Sequence, residues 1–419
     1  MRSVYILSAV RTAIGKFGGG LAELTAADLG VVAVRAALER AFGAAPAERT
    51  PGVFPQAPAR CESEVAAKPE SPAPVDELIF GNARPAGVGP NVARQIAWRA
   101  GLGDDVPAFT VNMACASGLR AILLGWQLIA LGEAEIIVAG GTESMSRVPY
   151  LLESRWGFKA GHQPVTDAMY RDGFLCPMSQ MIMGETAEVL AELYNISREE
   201  QDAYALRSQQ RAARAIAEQR FASEIVPIER ADRKGNLTCV ATDEHVRADT
   251  SLESLAKLPP VFSRTGTITA GNSSGLTDAA AALVLASEDE VRRRNLRPMA
   301  RIVDATVAAV DPRIMGVAPV PAVRALEKRT GWKLADYDVV ELNEAFAAQV
   351  LACDRDLHFD PEKLNPNGGA IALGHPIGCT GARITTTLLH ELQRRRGRRG
   401  LATLCVSGGM GLALAVESA

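Results

Sequence analysis

Two cysteines, a histidine and an asparagine stand in settings that suit acyl chemistry. Cys115 lies in Asn112-Met113-Ala114-Cys115-Ala116-Ser117-Gly118, after an apolar run that reads as a strand end. A helical pattern of Leu119, Ile122, Leu123, Trp126 and Ile129 follows it. A cysteine at a helix start meets free N–H groups and the positive dipole end, which favour a thiolate and a nearby oxyanion. His375 sits between Gly374 and Pro376, in a stretch with further glycines at 368, 369, 378 and 381. Cys405 precedes Val406-Ser407-Gly408-Gly409 at a second strand end. Asn343 closes the run Tyr337–Leu342, where it equally suits a helix cap. Each has an ordinary structural reading taken alone. Together they form a set: a nucleophilic cysteine needs a base, and its acyl intermediate needs oxyanion donors. The Cys/His pair alone also fits a cysteine hydrolase, but a second cysteine is unusual there, where water is the acceptor. A second cysteine has a task where a carbon acid or a leaving thiol exchanges a proton, since a thiol of pKa about 8.5 can be tuned to do both.

The elements that must position this set recur. Val75–Asn82 reads as a strand, and Tyr337–Asn343 echoes it. The helix Ala382–Leu392 and the strand Leu401–Val406 echo the Cys115 helix and the strand from Glu135 to Ala139. Glycine pairs, Gly140-Gly141 and Gly408-Gly409, close the two later strands. The pattern implies an internal duplication of an α/β unit, with a site at the seam between halves. Residues 1–147 are expected to form the first half, rejoined by a strand and helix at 278–298, and 299–419 the second. Residues 148–277 differ: a methionine-rich stretch, a capping box of Ser197 and Glu200, and a turn at Lys234-Gly235-Asn236 suggest an inserted loop domain lying over the rest. Residues 44–75 hold seven prolines and are expected to form a poorly ordered surface insertion.

Composition narrows the class. The 419 residues carry 45 basic and 48 acidic side chains, a net charge of -3 that gives no bias toward nucleic acid or an anionic membrane. Seven cysteines, an odd number without a C-x-x-C pair, argue against a disulfide framework and a cysteine-rich zinc site. No secretory signal is recognised, and no apolar run is expected to span a membrane. A cytoplasmic location is the expectation.

Six ordered stretches resemble the thiolase family of acyl-CoA:acetyl-CoA C-acyltransferases. They are Asn112–Leu119, Gly140–Ser146, Thr269–Gly275, Asn343–Ala347, Asn365–Arg383 and Cys405–Gly411. The resemblance covers nearly the whole chain except 44–75. It implies a layered α/β/α/β/α fold and a ping-pong reaction without metal or resident cofactor, coenzyme A being a co-substrate. It implies Cys115 as the acyl carrier, His375 as its activator, Cys405 as acid/base and Asn343 as the holder of an oxyanion-site water. The N–H groups of Cys115 and Ser407 would form a second oxyanion site. Coenzyme A contacts are implied at Arg247, Ser254, Leu258, Ala270, Ser274, Met183, Met315, Ala345 and Phe346. A homodimer or homotetramer is implied as well. Ser407 stands where many members carry Gly, so a positive φ there would strain the chain. Ile182 stands where short-chain biosynthetic members carry His, which favours thiolysis of 3-ketoacyl-CoA over acetoacetyl-CoA synthesis. Competing readings are a carrier-protein condensing enzyme and a non-catalytic acyl-CoA or lipid binder.

Overall fold

The computed structural model describes residues 2–51, 74–231 and 237–419. Cys61, the turn expected at Lys234-Gly235-Asn236 and all but the ends of 44–75 lie outside them. The described start of 44–75 packs back on its neighbours: Arg35 donates to Pro46 O, and Arg49 N donates to Arg99 O at 2.9 Å.

Nine strands form one hydrogen-bonded path: β1 Val4–Thr12, β2 Glu77–Gly81, β3 Ala108–Val111, β4 Ile136–Ser144, β5 Thr277–Ser287, β6 Ala300–Ala309, β7 Val339–Leu342, β8 Arg399–Val406 and β9 Met410–Ser418. Their order is β7-β8-β9-β6-β1-β5-β4-β2-β3. The halves meet at a short antiparallel seam, Val4↔Ile302 to Ile6↔Ala300. Outward from it the order repeats: β5, β4, β2 on one side and β9, β8, β7 on the other. β2 pairs with β4 in parallel, Gly81 opposite Gly141, and β7 with β8 in parallel, Leu342 opposite Thr403. The echoes seen in the sequence are therefore spatial equivalents. In such sheets, ligands gather beyond the carboxyl ends of the parallel strands.

Helix α1, Ala26–Phe42, covers β1 and β5 from outside. Its start is fixed by a reciprocal Thr25–Asp28 capping box and its end by Gly43 at φ 81°. Helices α2, Ser117–Leu131, and α5, Ile377–Arg395, pack on each other in the middle layer. Contrary to the sequence expectation, Ala114–Leu131 is long and apolar enough to cross a membrane by length and composition. Here its apolar faces are spent on β2, β4 and α5, as in a core helix. Helix α4, Pro319–Thr330, covers β6 and β9.

Between β4 and β5 the chain runs through short hairpins and helix α3, Arg198–Ala217, which opens on the expected Ser197–Glu200 box. This segment is tied to β1 by Arg11, which donates to Glu224 at 2.6 Å and to Asp243 at 2.7 and 2.9 Å. All three side chains are buried.

Candidate active site

Cys115 occupies a single 3-10 turn, Ala114–Ala116, that feeds directly into α2. Ala114 is forced to φ 44°, a left-handed conformation costing about 1 kcal/mol for a residue with a Cβ. Hydrogen bonds hold it there. Ala114 N donates to Asn112 Oδ1 at 3.0 Å, Met113 N to Ser117 Oγ at 2.9 Å, and Ser117 Oγ to Ala114 O at 2.7 Å. The turn aims the Cys115 side chain into a cavity of about 270 Å³. Burial raises the Cys115 thiol above its ordinary pKa; the charge of Arg84 and the N–H groups of Ser407 and Cys115 itself oppose that shift. Those two N–H groups are the donors the sequence assigned to an oxyanion.

His375 lies in the loop before α5. Its Nδ1 is 2.6 Å from Thr380 Oγ1, and Thr380 Oγ1 donates to Pro376 O at 2.9 Å. Thr380 thus accepts the Nδ1 proton, which assigns the lone pair to Nε2. Nε2 is buried without a partner among the described residues, and His375 lines the same cavity as Cys115. Burial, then the positive charges of Arg383 and Arg84, lower its pKa to about 3, so the ring is neutral. Cys405 ends β8 on the same wall. Burial, then the neighbouring Cys115, push its thiol well up, so it rests as S–H.

Asn343 does not cap a helix; Phe346 is the cap of the helix Ala347–Leu357. Nor is it on the cavity wall. It is buried just past β7, its N–H donating to Thr403 O at 3.0 Å, with both side-chain amide atoms unpartnered among the described residues. A buried free amide of this kind is suited to holding a water. Ser407 has no positive φ; the left-handed residues are Gly408 and Gly409. The strain expected at Ser407 is absent because the turn places its reversal one residue later.

Of the coenzyme A set, Met183, Ser274, Met315, Ala345 and Phe346 line the cavity, and Arg247, Ser254, Leu258 and Ala270 do not. Arg247, Ser254 and Ala270 are exposed. Leu258 and Leu255 crowd Gly271, where a Cβ would come within 2.6 Å of both. Ser254, Leu258 and Ala270 therefore share one surface patch.

Three residues escaped the sequence reading. Glu143, inside a matched motif, is buried and accepts from Asn82 Nδ2, Ala83 N, Arg84 N and Gly378 N at 2.8–3.1 Å. It clamps the exit of β2 to the start of α5. Glu344 accepts from Tyr204, Ser208, Asn365 and Ile371 N, fixing the loop that leads to His375. Arg84 lines the cavity and looked like an ordinary loop residue. Among the described residues no cluster of metal-ligating side chains occurs.

The family model "Thiolase, N-terminal domain" matches residues 61–289, and "Thiolase, C-terminal domain" matches 296–418. The acetyl-CoA acetyltransferase of Shinella zoogloeoides is 46% identical, over 99% of this chain and 98% of its own. The crystal structure of the Bacillus anthracis acetyl-CoA acetyltransferase superposes with a TM-score of 0.91 at 44% identity, covering 100% of this chain and 99% of that one. Human mitochondrial 3-ketoacyl-CoA thiolase in complex with CoA gives 0.89 at 42% identity, covering 100% and 98%. With both halves matched and the fold shared end to end, the chain belongs to the thiolase family of acyltransferases.

Proposed function

We propose that the enzyme works by ping-pong acyl transfer through Cys115, with 3-ketoacyl-CoA thiolysis as its main direction. One observation carries the reading: Cys115, Cys405 and the unpartnered Nε2 of His375 open into one apolar cavity. His375 Nε2 takes the Cys115 proton as sulfur attacks the 3-keto carbon. The carbon–carbon bond breaks, acetyl-CoA leaves as its enolate, and the Cys405 thiol protonates the acetyl carbon. Coenzyme A then gives its thiol proton to the Cys405 thiolate as its sulfur attacks the acyl group on Cys115, and His375 returns its proton to the departing Cys115 sulfur, giving the shortened acyl-CoA and restoring both thiols. The N–H groups of Cys115 and Ser407 stabilise the oxyanion at the nucleophile, while His375 and a water on Asn343 serve the thioester oxygen of the leaving half. No step calls for a metal or resident cofactor.

Ile182 on the cavity wall supports the thiolytic direction, since it offers apolar surface to a longer acyl chain. The second reading, acetoacetyl-CoA formation from two acetyl groups, is favoured by the name of the bacterial relatives. The proposal includes a cytoplasmic homo-oligomer acting in fatty-acid degradation by β-oxidation.

The test is a mass measurement followed by a rate panel. Acetyl-CoA should add one acetyl mass at Cys115. Cys405→Ala should keep that adduct and lose carbon–carbon exchange. An unmodified Cys115 would sink the reading. Rates for 3-ketoacyl-CoA substrates from four carbons upward, run in both directions, decide between thiolysis and synthesis.

A further inference from the structure

Arg84 is a physical anomaly. Its side chain is buried, with 6% of the residue exposed, yet no carboxylate lies within ion-pair distance among the described residues. Its Nη1 donates to Ala83 O at 3.1 Å, and its Nε is buried without a partner among the described residues. The two carboxylates close enough to feel its charge are already engaged. Glu143 spends both oxygens on four N–H donors, and Asp172 is paired with Arg171 at 2.8 Å. An unpaired guanidinium in such a place is destabilising unless something compensates it.

The protein holds it in position. Gly173 lies flat against the guanidinium: a Cβ there would come within 2.6–2.8 Å of Nε, Nη2 and Cζ. The Phe174 ring centroid is 5.9 Å from Cζ. The backbone of Arg84 is fixed by its N–H to Glu143 Oε1 at 3.1 Å.

Its placement in the cavity says what it faces. The wall consists of two apolar clusters. One joins Met183, Phe262, Met315, Ala345, Phe346 and Cys405. Four of these, Met183, Met315, Ala345 and Phe346, are coenzyme A contacts that family resemblance implies near the reacting end. The other joins Met145, Phe174, Leu276, Ile377 and Cys115 itself. Arg84 stands beside the second cluster, stacked near Phe174, and so at the side where an acyl group on Cys115 would extend. It also lines the adjoining recess with Ala114, Asp172, Gly173 and Ser407. A plain alkyl chain gains nothing from a cation in its pocket. A carboxylate, matched in shape and charge to a guanidinium, gains a charge-assisted hydrogen bond and supplies the missing counter-charge.

We propose that Arg84 is the specificity-determining residue of the acyl pocket, and that the substrates it selects are 3-ketoacyl-CoA thioesters whose acyl chain ends in a carboxylate. This rests on the acyl-Cys115 reading and narrows its substrate class. Arg84 touches the far end of the chain and takes no part in bond making.

The test compares succinyl-CoA with butyryl-CoA, acyl chains of equal carbon number that differ in the terminal carboxylate. Binding is measured by calorimetry in a Cys115→Ala background, so that no acyl transfer intervenes. Succinyl-CoA should bind at least roughly tenfold more tightly than butyryl-CoA. Arg84→Met should reverse that preference while leaving butyryl-CoA binding unchanged or tighter. Arg84→Lys, which keeps the charge and loses the fork, should fall between. Removing a buried unpaired cation should leave the thermal midpoint of Arg84→Met level or higher, so misfolding is not the expected confusion. In the active enzyme, kcat/KM for 3-ketoacyl-CoA ending in carboxylate or methyl should follow the same order. Tighter butyryl-CoA binding with Arg84 present, or equal loss of both ligands in Arg84→Met, overturns the proposal. Failure of the parent reading looks different: acetyl-CoA leaves Cys115 unmodified while Arg84 still sorts the two thioesters.

Discussion

A neutral histidine beside a protonated thiol is the chemical core of the site, and its neutrality has a thermodynamic signature. Folded His375 titrates at about 3, held down by burial and by Arg383 and Arg84. In the unfolded chain a histidine titrates near 6.5. Between those values the unfolded state binds more protons, so this residue makes stability rise with pH from about 3 to about 6.5 and fall on acidification. The steepest slope is roughly 1.4 kcal/mol per pH unit. His375→Asn removes the titration. Its unfolding midpoint should fall less steeply than the wild type's between pH 6.5 and pH 4, and parallel curves would refute the assignment. The same variant should lose acylation of Cys115, because among the described residues His375 is the one histidine lining that cavity and its Nε2 is free.

At the scale of elements, the site depends on how closely α2 and α5 cross. A Cβ on Gly381 would lie 2.3 Å from Leu119 N, and one on Gly118 would lie 2.9 Å from Ala382 N. Both obstacles are backbone and cannot swing away. Gly381→Ala therefore sets two effects against each other. Helix propensity favours alanine by up to about 1 kcal/mol. Overpacking costs typically 1–3 kcal/mol and here wins, because the helices must part. We expect a lower unfolding midpoint and a lower kcat, since the turn that holds Cys115 runs straight into α2 and α5 follows His375; a more stable variant would show that the crossing yields. The sequence disclosed these helices through their apolar spacing, and the strand pairs through their order and closing glycines. It could not disclose the crossing, which rests on contacts between residues 262 and 264 positions apart. Arg84 stayed hidden for a related reason. In Asn82-Ala83-Arg84-Pro85 it looks like a surface loop arginine, and only the packing of Gly173 and Phe174 over it makes it a cavity wall. Arg247, Ser254, Leu258 and Ala270 came from motif resemblance alone. Resemblance fixes a chain position, whereas membership of the cavity wall depends on how the loops between 148 and 277 lie.

For the molecule as a whole, the duplicated sheet supplies strand ends and the intervening segment supplies much of the cavity wall. Met183, Phe262 and Ser274 come from that segment, while Cys115, His375 and Cys405 come from the halves. Activity thus requires the segment to stay seated on the sheet. Arg11 is a buried ionic tie: it reaches from β1 to Glu224 and Asp243, and all three side chains are at most 5% exposed. Its carboxylates have other duties, Glu224 accepting from Thr387 Oγ1 and Asp243 from Ile14 N. Arg11→Met removes the cation and leaves two buried carboxylates facing each other's charge. Removing one partner of a buried ionic cluster costs roughly 3–5 kcal/mol. We expect a loss of that size in denaturant unfolding at neutral pH. Because the segment carries cavity-wall residues, the surviving folded enzyme should show a raised KM for coenzyme A with a smaller change in kcat. A loss below about 1 kcal/mol, with KM unmoved, would mean that apolar packing alone seats the segment on β1.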